Sequence, residues 1–173
     1  MQEENVILVD ESDNEIGVMG KMEAHRTGVL HRAISVFIYN RKGELLMHKR
    51  AAGKYHSGGL WTNTCCSHPR PGEDPLAAAS RRLGEEMGIS CQLTHAFNFT
   101  YKADLGNGLV EHELDYIFTG ISDDIPHPDP NEVETWEYIN ESDIQLELRS
   151  NPQLFTEWFR MIFPLVNVKP VIT

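Results

Sequence analysis

From Ala33 to Tyr39 the chain reads Ala-Ile-Ser-Val-Phe-Ile-Tyr, with one small polar side chain in seven positions. Successive side chains of a strand point to opposite faces, so a run apolar at both parities must be covered on both faces. Such a strand needs packed material above and below its sheet. Neighbouring segments can supply it. Val6–Val9 and Ile16–Met19 read as short strands around the turn Ser12-Asp13-Asn14, and Asn40-Arg41-Lys42-Gly43 turns the chain into Leu45–Lys49. Further strands are expected near Leu93–Tyr101, Leu109–Phe118 and Glu134–Ile139. Asp74 can cap a helix that has Pro75 at its first position and ends at Gly88. Within it Leu76, Ala79, Leu83 and Met87 form one apolar stripe, with Arg82 and Glu86 on a neighbouring face. Helices are expected over Ser142–Arg149 and Pro152–Phe163. The pattern predicts an α/β (α+β) fold, a mixed sheet sandwiched between helices, in a single domain over residues 1–173.

Charge narrows the function. The 15 basic and 26 acidic residues leave a net charge of −11, the wrong sign for a broad nucleic-acid or anionic-membrane surface. A small anion could still be held by a few converging Lys and Arg. No apolar stretch is long enough to span a bilayer, and Met1–Asn5 lacks a basic region followed by an apolar run, so no secretory leader is expected. Three cysteines, two of them adjacent, argue against a disulfide framework and for the reducing cytoplasm. Without heptads or an evident self-complementary patch, a monomer is the default and a dimer the alternative.

Reactive groups concentrate in two places. Trp61-Thr62-Asn63-Thr64-Cys65-Cys66-Ser67-His68-Pro69 sets the Cys66 thiol two residues from the His68 imidazole. In Leu109–Phe118, strand alternation puts Val110, Leu114, Tyr116 and Phe118 on one face, and Glu111, Glu113 and Asp115 on the other. A Glu-x-Glu pair alone is also what a solvated strand face looks like, so its meaning depends on other ligands converging. The candidates are His25, His31 and His68. Three imidazoles with two carboxylates would suit Zn2+, Mn2+ or Fe2+, whereas Mg2+ prefers oxygen donors and water. His48, His56, His95, His112 and His127 are read as structural, and Cys65 and Cys91 as small packed groups.

At this point a family becomes recognisable. Ser67-x5-Glu73-x7-Arg81-Arg82-Leu83-Gly84-Glu85-Glu86-Met87-Gly88-Ile89 resembles the Nudix box, G-x5-E-x7-R-E-U-x-E-E-x-G-U. Ser67 replaces its leading Gly, and Arg82 replaces a metal-binding Glu. An Arg there removes a ligand and supplies a fork for phosphate, which disfavours hydrolysis. With Ala24–His31, Trp61–Pro69 and Val110–Leu114, the chain is similar from about Lys21 to Trp158 to the type I isopentenyl diphosphate isomerases, with a Nudix core over about 30–163 and an N-terminal strand and ligand segment over about 1–29.

The resemblance implies isomerisation of isopentenyl to dimethylallyl diphosphate, with no organic cofactor. It implies one transition ion, Zn2+ or Mn2+, held by His25, His31, His68, Glu111 and Glu113. A Mg2+ arriving with the diphosphate would be bound by Glu86 and the Cys66 backbone carbonyl. Lys21, Arg50, Lys54 and Arg82 match the diphosphate-binding positions. Cys66 and Glu113 match the acid–base pair, assisted by Tyr101, and Trp158 matches an aromatic against the hydrocarbon end. Trp61 is a second candidate to line that pocket. Two readings compete: a Nudix diphosphate hydrolase, and a non-catalytic, metal-stabilised binding domain.

Overall fold

The apolar run becomes part of β3 (His31–Tyr39), and all nine of its residues are buried. The structure, a computed structural model, describes residues 4–166, so the expected span of 1–173 reaches beyond it at both ends. One edge of β3 is occupied along its whole length by β8 (Leu109–Ile121), in parallel and in register from His31↔Glu113 to Tyr39↔Ile121. Three strands share the other edge in succession. They are β1 (Asn5–Val9) at His31, β6 (Cys65–Ser67) opposite Ile34–Val36, and β4 (Leu45–Arg50) at Tyr39. The remaining strands extend the sheet outward. β2 (Glu15–Gly20) pairs with β1, β5 (Trp61–Thr62) and β9 (Val133–Ile139) with β4, and β7 (Leu93–Gly106) with β8, giving nine strands of mixed direction among the described residues.

Alternation along β3 and β8 sorts two cores. Ile34, Val36, Ile38 and Phe118 face α2 (Pro75–Met87), where Ala79, Leu83 and Met87 complete the packing. On the opposite face Phe37, Tyr39 and Ile117 pack against α3 (Glu141–Ser150) and α4 (Glu157–Ile162) through Ile144, Trp158, Phe159 and Ile162. That is the expected sheet between helices. Leu76 departs from the expected stripe: it lies in the first turn of α2 and is 44% exposed. Apolar spacing does not reveal how far a sheet extends beneath a helix.

Helix α2 begins where the sequence predicts. The Asp74 carboxylate accepts from the backbone N–H groups of Leu76 and Ala77 at 3.0 and 3.1 Å. Asp74→Ala should cost about 1 kcal/mol of stability, measurable by urea unfolding. At the other end Gly88 adopts φ +66°, and a Cβ there would stand 2.5 Å from the His127 carbonyl oxygen.

The short strands β5 and β6 carry no sequence expectation, and two helical elements also differ. The continuous helix over Pro152–Phe163 is broken into a single 3-10 turn (Pro152–Leu154) and α4. Between them Phe155 is extended and the Thr156 N–H donates to the Trp61 carbonyl, so strand-like contact interrupts the helix before Thr156 caps α4. The second is α1 (Lys21–Thr27), a helix of seven residues with no sequence expectation behind it. It ends on Gly28 in the left-handed conformation, and the His112 ring nitrogen Nδ1 pairs with the Gly28 carbonyl at 2.8 Å.

Candidate active site

Strand β3 delivers the site because its face shared with β8 changes character along its length. Near Tyr39 that face is apolar core; toward His31 it carries His31 and Ser35, with Glu111, Glu113 and Asp115 beside them on β8. Cys66 arrives from the other edge, paired through β6 with Ser35. Helix α1 adds Lys21 and His25, four residues apart and so on one face. From α2 come Arg82 and Glu86, and from α4 comes Trp158. A single cavity is lined by Lys21, Arg50, Lys54, Cys66, His68, Arg82, Glu86, Tyr101, Glu111, Glu113 and Trp158. His25 and His31 are fully buried behind the two glutamates.

The imidazoles and carboxylates converge closely. His68 Nε2 is 2.9 Å and His31 Nε2 3.5 Å from Glu113 Oε1, and His25 Nε2 is 3.3 Å from Glu111 Oε2. Donors at right angles around one ion, each about 2.1 Å from it, stand about 3.0 Å apart. The Nδ1 atoms of His25 and His31 meet the carbonyls of Lys21 and Val29 at 2.7 and 2.9 Å. A carbonyl can only accept, so those nitrogens carry the proton and each Nε2 presents its lone pair inward. His25 Nε2, His31 Nε2 and Glu111 Oε2 are buried without hydrogen-bond partners. Buried polar atoms seldom stay unpaired. This donor set fits a divalent transition ion.

Protonation follows the same crowding. Burial, with the charge of Glu113 beside it, pushes the Glu111 carboxyl up to about 7. Burial also opposes ionisation of Glu113, but the His68 bond and the neighbouring His31 ring outweigh that and hold it well below the usual carboxylate range. His68 is pushed down to about 3, chiefly by burial. The Glu111 shift has a sign. A carboxyl whose pKa is raised by folding contributes stability below its unfolded value and loses it as pH rises through the folded one. Between about pH 5 and pH 8 the metal-free protein should therefore lose the Glu111 contribution to its stability, while His68, held low, contributes with the opposite sign below about pH 6.5. Thermal melts of chelated protein across that range check it: the midpoint difference between the unaltered protein and Glu111→Gln should change with pH in that window.

Cys66 has its own setting. Burial, with Asp115 nearby, pushes its thiol up to about 12, so it holds its proton. Its sulfur lies 3.0 Å from Asn63 Oδ1, and the Trp158 indole N–H donates to it at 3.2 Å. The Asn63 amide is fixed because Nδ2 donates to the carbonyls of Val36 and Cys65, both at 3.0 Å. Tyr101 O–H donates to Glu113 Oε2 at 2.7 Å.

The basic groups form the opposite wall. Arg82 reaches Glu86 at 2.5 Å and Glu132 at 3.6 Å, and Glu132 takes Lys54 at 2.5 Å. The guanidinium of Arg50 lies 5.2 Å from the centre of the Trp158 ring. The Nε atoms of Arg50 and Arg82 are buried with no partner, an arrangement open to an anion.

Two sequence expectations need correction. Trp61 lies elsewhere: β5 pairs it with Lys49, and its side chain lines a separate groove with Met47, Ile139, Ile144 and Phe155. Sequence proximity to Cys66 says nothing about which way an indole on a different strand faces. His56, read as structural, lines the cavity with its Nε2 3.0 Å from Glu111 Oε1. Asn63 and Ser35 also border the thiol without a sequence signal of their own, and the odd-position parity of β8 puts Asp115 on the face of the glutamates.

The fold and site define a class. The family model for the NUDIX domain matches residues 29–159, and the chain belongs to that family. Among similar proteins, the isopentenyl-diphosphate Delta-isomerase of Pectobacterium atrosepticum is 53% identical over 158 residues, covering 91% of this chain and 88% of its own. The isopentenyl-diphosphate Delta-isomerase 1 of Aromatoleum aromaticum is 54% identical over 156 residues, covering 90% and 88%. Solved structures agree on the fold. A Deinococcus radiodurans crystal structure superposes with TM-score 0.81 at 16% identity, covering 95% of this chain and 100% of that one. A MutT NUDIX hydrolase of Burkholderia pseudomallei gives 0.61 at 22% identity, covering 80% and 98%.

Proposed function

We propose that this protein interconverts isopentenyl and dimethylallyl diphosphate. The observation that carries the reading is one cavity lined by both Cys66 and Glu113, a proton-bearing thiol and an ionised carboxylate, beside a donor set for a metal. Relatives that are about half identical over nine-tenths of the chain carry that activity in their names.

The reaction moves a double bond from C3–C4 to C2–C3. An isolated alkene is a weak base, so one group must deliver a proton to C4 and a second must remove one from C2. Between the two steps C3 carries cationic character. Cys66 and Glu113 are the two groups, and because the reaction is reversible each serves in both senses. Tyr101 bonds one oxygen of Glu113 and fixes its orientation. Water would trap the cation as an alcohol, and the buried walls keep it out. Trp158 lines the same cavity beside Cys66 and supplies an apolar surface for the hydrocarbon end. Lys21, Arg50, Lys54 and Arg82 bind the diphosphate and keep it from leaving.

His25, His31, His68, Glu111 and Glu113 would hold Zn2+ or Mn2+, and Glu86 with the Cys66 carbonyl would hold Mg2+ brought by the substrate. Bound there, a divalent ion supplies positive charge that offsets the repulsion of the paired glutamates. No organic cofactor is needed, since nothing is oxidised or reduced. The three cysteines are all free, which supports a cytoplasmic, reducing setting. Among the described residues no helix is long and apolar enough to cross a membrane. The substrate is a small prenyl diphosphate, and the working unit is taken as a monomer.

Proton NMR of isopentenyl diphosphate in heavy water with enzyme and Mg2+ tests this. Deuterium should enter the C4 methyl and exchange at C2 as dimethylallyl diphosphate forms. Release of phosphate without isomerisation would favour a hydrolase. Arg82 speaks against that outcome, because it occupies a carboxylate position of the Nudix box and is itself paired with Glu86.

A further inference from the structure

The histidine set does not stop at the three that the sequence singled out. His56 lies in the irregular loop between β4 and β5, and its side chain is 5% exposed. Its ring repeats the arrangement of His25 and His31. The outer nitrogen, Nδ1, has a partner in Ser57 Oγ at 3.1 Å, while Nε2 points inward and is buried without a hydrogen bond. Nε2 stands 3.0 Å from Glu111 Oε1, yet the pair is not aligned as a hydrogen bond. That separation is the one expected for two donors sharing an ion at right angles, at about 2.1 Å each. Ligand atoms of His25, His56 and Glu111 all lie within 4.8 Å of one another, overlapping through His25 the set formed by His25, His31, His68 and Glu113.

The loop is built to hold this ring in place. Ser57 adopts φ +53°, a left-handed conformation that costs a non-glycine residue energy. A Cβ on Gly58 would stand 2.6 Å from the Ala52 carbonyl oxygen, so only glycine allows the loop to fold back there. The Arg50 guanidinium donates to the His56 carbonyl at 3.3 Å. The neighbouring ring of Tyr55 packs edge-on against both His56 and His25, at 4.3 and 5.6 Å between centroids.

We propose that His56 is a further metal donor, a fourth imidazole in the cage formed by His25, His31, His68, Glu111 and Glu113. The inference rests on reading that cluster as a metal site. In this arrangement Glu111 lies between His25 on its Oε2 side and His56 on its Oε1 side, so both rings and the carboxylate would hold the ion together. The loop that carries His56 also carries Lys54, so filling the cage fixes one of the diphosphate-binding lysines as well.

Long-range proton–nitrogen NMR of 15N-labelled protein, metal-free and with one equivalent of Zn2+, reads each ring separately. On loading, Nε2 of His56 should shift to a metal-bound position together with those of His25 and His31, with Nδ1 carrying the proton. A His56 ring that stays unchanged while the others move overturns this inference alone. If no ring moves, the cage reading fails with it. His56→Gln supplies a second measure, because it keeps an N–H donor toward Glu111 but cannot replace the imidazole. Its Zn2+ affinity, by chelator competition, should fall about 100-fold, and an affinity equal to that of the unaltered protein would count against His56 as a donor.

Discussion

Replacing Cys66 with Ala should lower turnover of isopentenyl diphosphate about 10,000-fold, the upper end of what a positioned acid or base contributes. Its neighbours offer no substitute. Asn63 presents a carbonyl oxygen, which carries no proton, and Ser35 Oγ stands 3.7 Å from the sulfur and is committed to Asp115 at 2.6 Å. The fold should persist, since Cys66 is only partly buried and the Asn63 amide is anchored independently by two carbonyls. Circular dichroism and the thermal midpoint check that persistence. Glu113→Gln should produce a comparable loss, because the amide cannot accept the C2 proton. A protein altered at both positions that still interconverts the two diphosphates would sink the assignment of the pair.

Stripping divalent ions should abolish activity and lower the thermal midpoint by about 10 °C. A ligand present at 100 to 1,000 times its dissociation constant stabilises by about 3–4 kcal/mol, and each kcal/mol moves the midpoint of a chain of this size by about 2–4 °C. The buried Glu111–Glu113 pair is what the ion offsets, with Glu111 3% exposed and Glu113 6%. Zn2+ or Mn2+ should restore the midpoint, whereas Mg2+ alone should not, because imidazoles are poor donors for it. Scanning calorimetry with each ion checks the order. A midpoint unmoved by chelation would mean that the cluster holds no structural ion.

Much of this site was legible in the sequence, for reasons that differ by residue. Glu111 and Glu113 could be placed together because strand alternation is strict. Arg82 and Glu86 could be paired because they stand four apart in a helix whose cap, Asp74, is unambiguous. The thiol and His68 share one short segment. His56 was hidden because it sits in a loop without periodicity, where spacing carries no direction. Helix α1 was hidden too: seven residues are too few for a repeat to declare itself, and its cap at Gly20 bears no side chain. Trp61 misled because β5 and β6 are separate strands, and the break at Phe155 depends on a partner 94 residues away, at Trp61.

The two edges of β3 have a consequence for how such a site can vary. Ser35 faces Cys66 across one edge and His31 faces Glu113 across the other, four residues apart and therefore pointing the same way. A single strand thus acts as the ruler for both halves of the chemistry. One residue inserted between those two rungs would turn either the sulfur or the carboxylate toward α2, so the spacing tolerates drift only in steps of two.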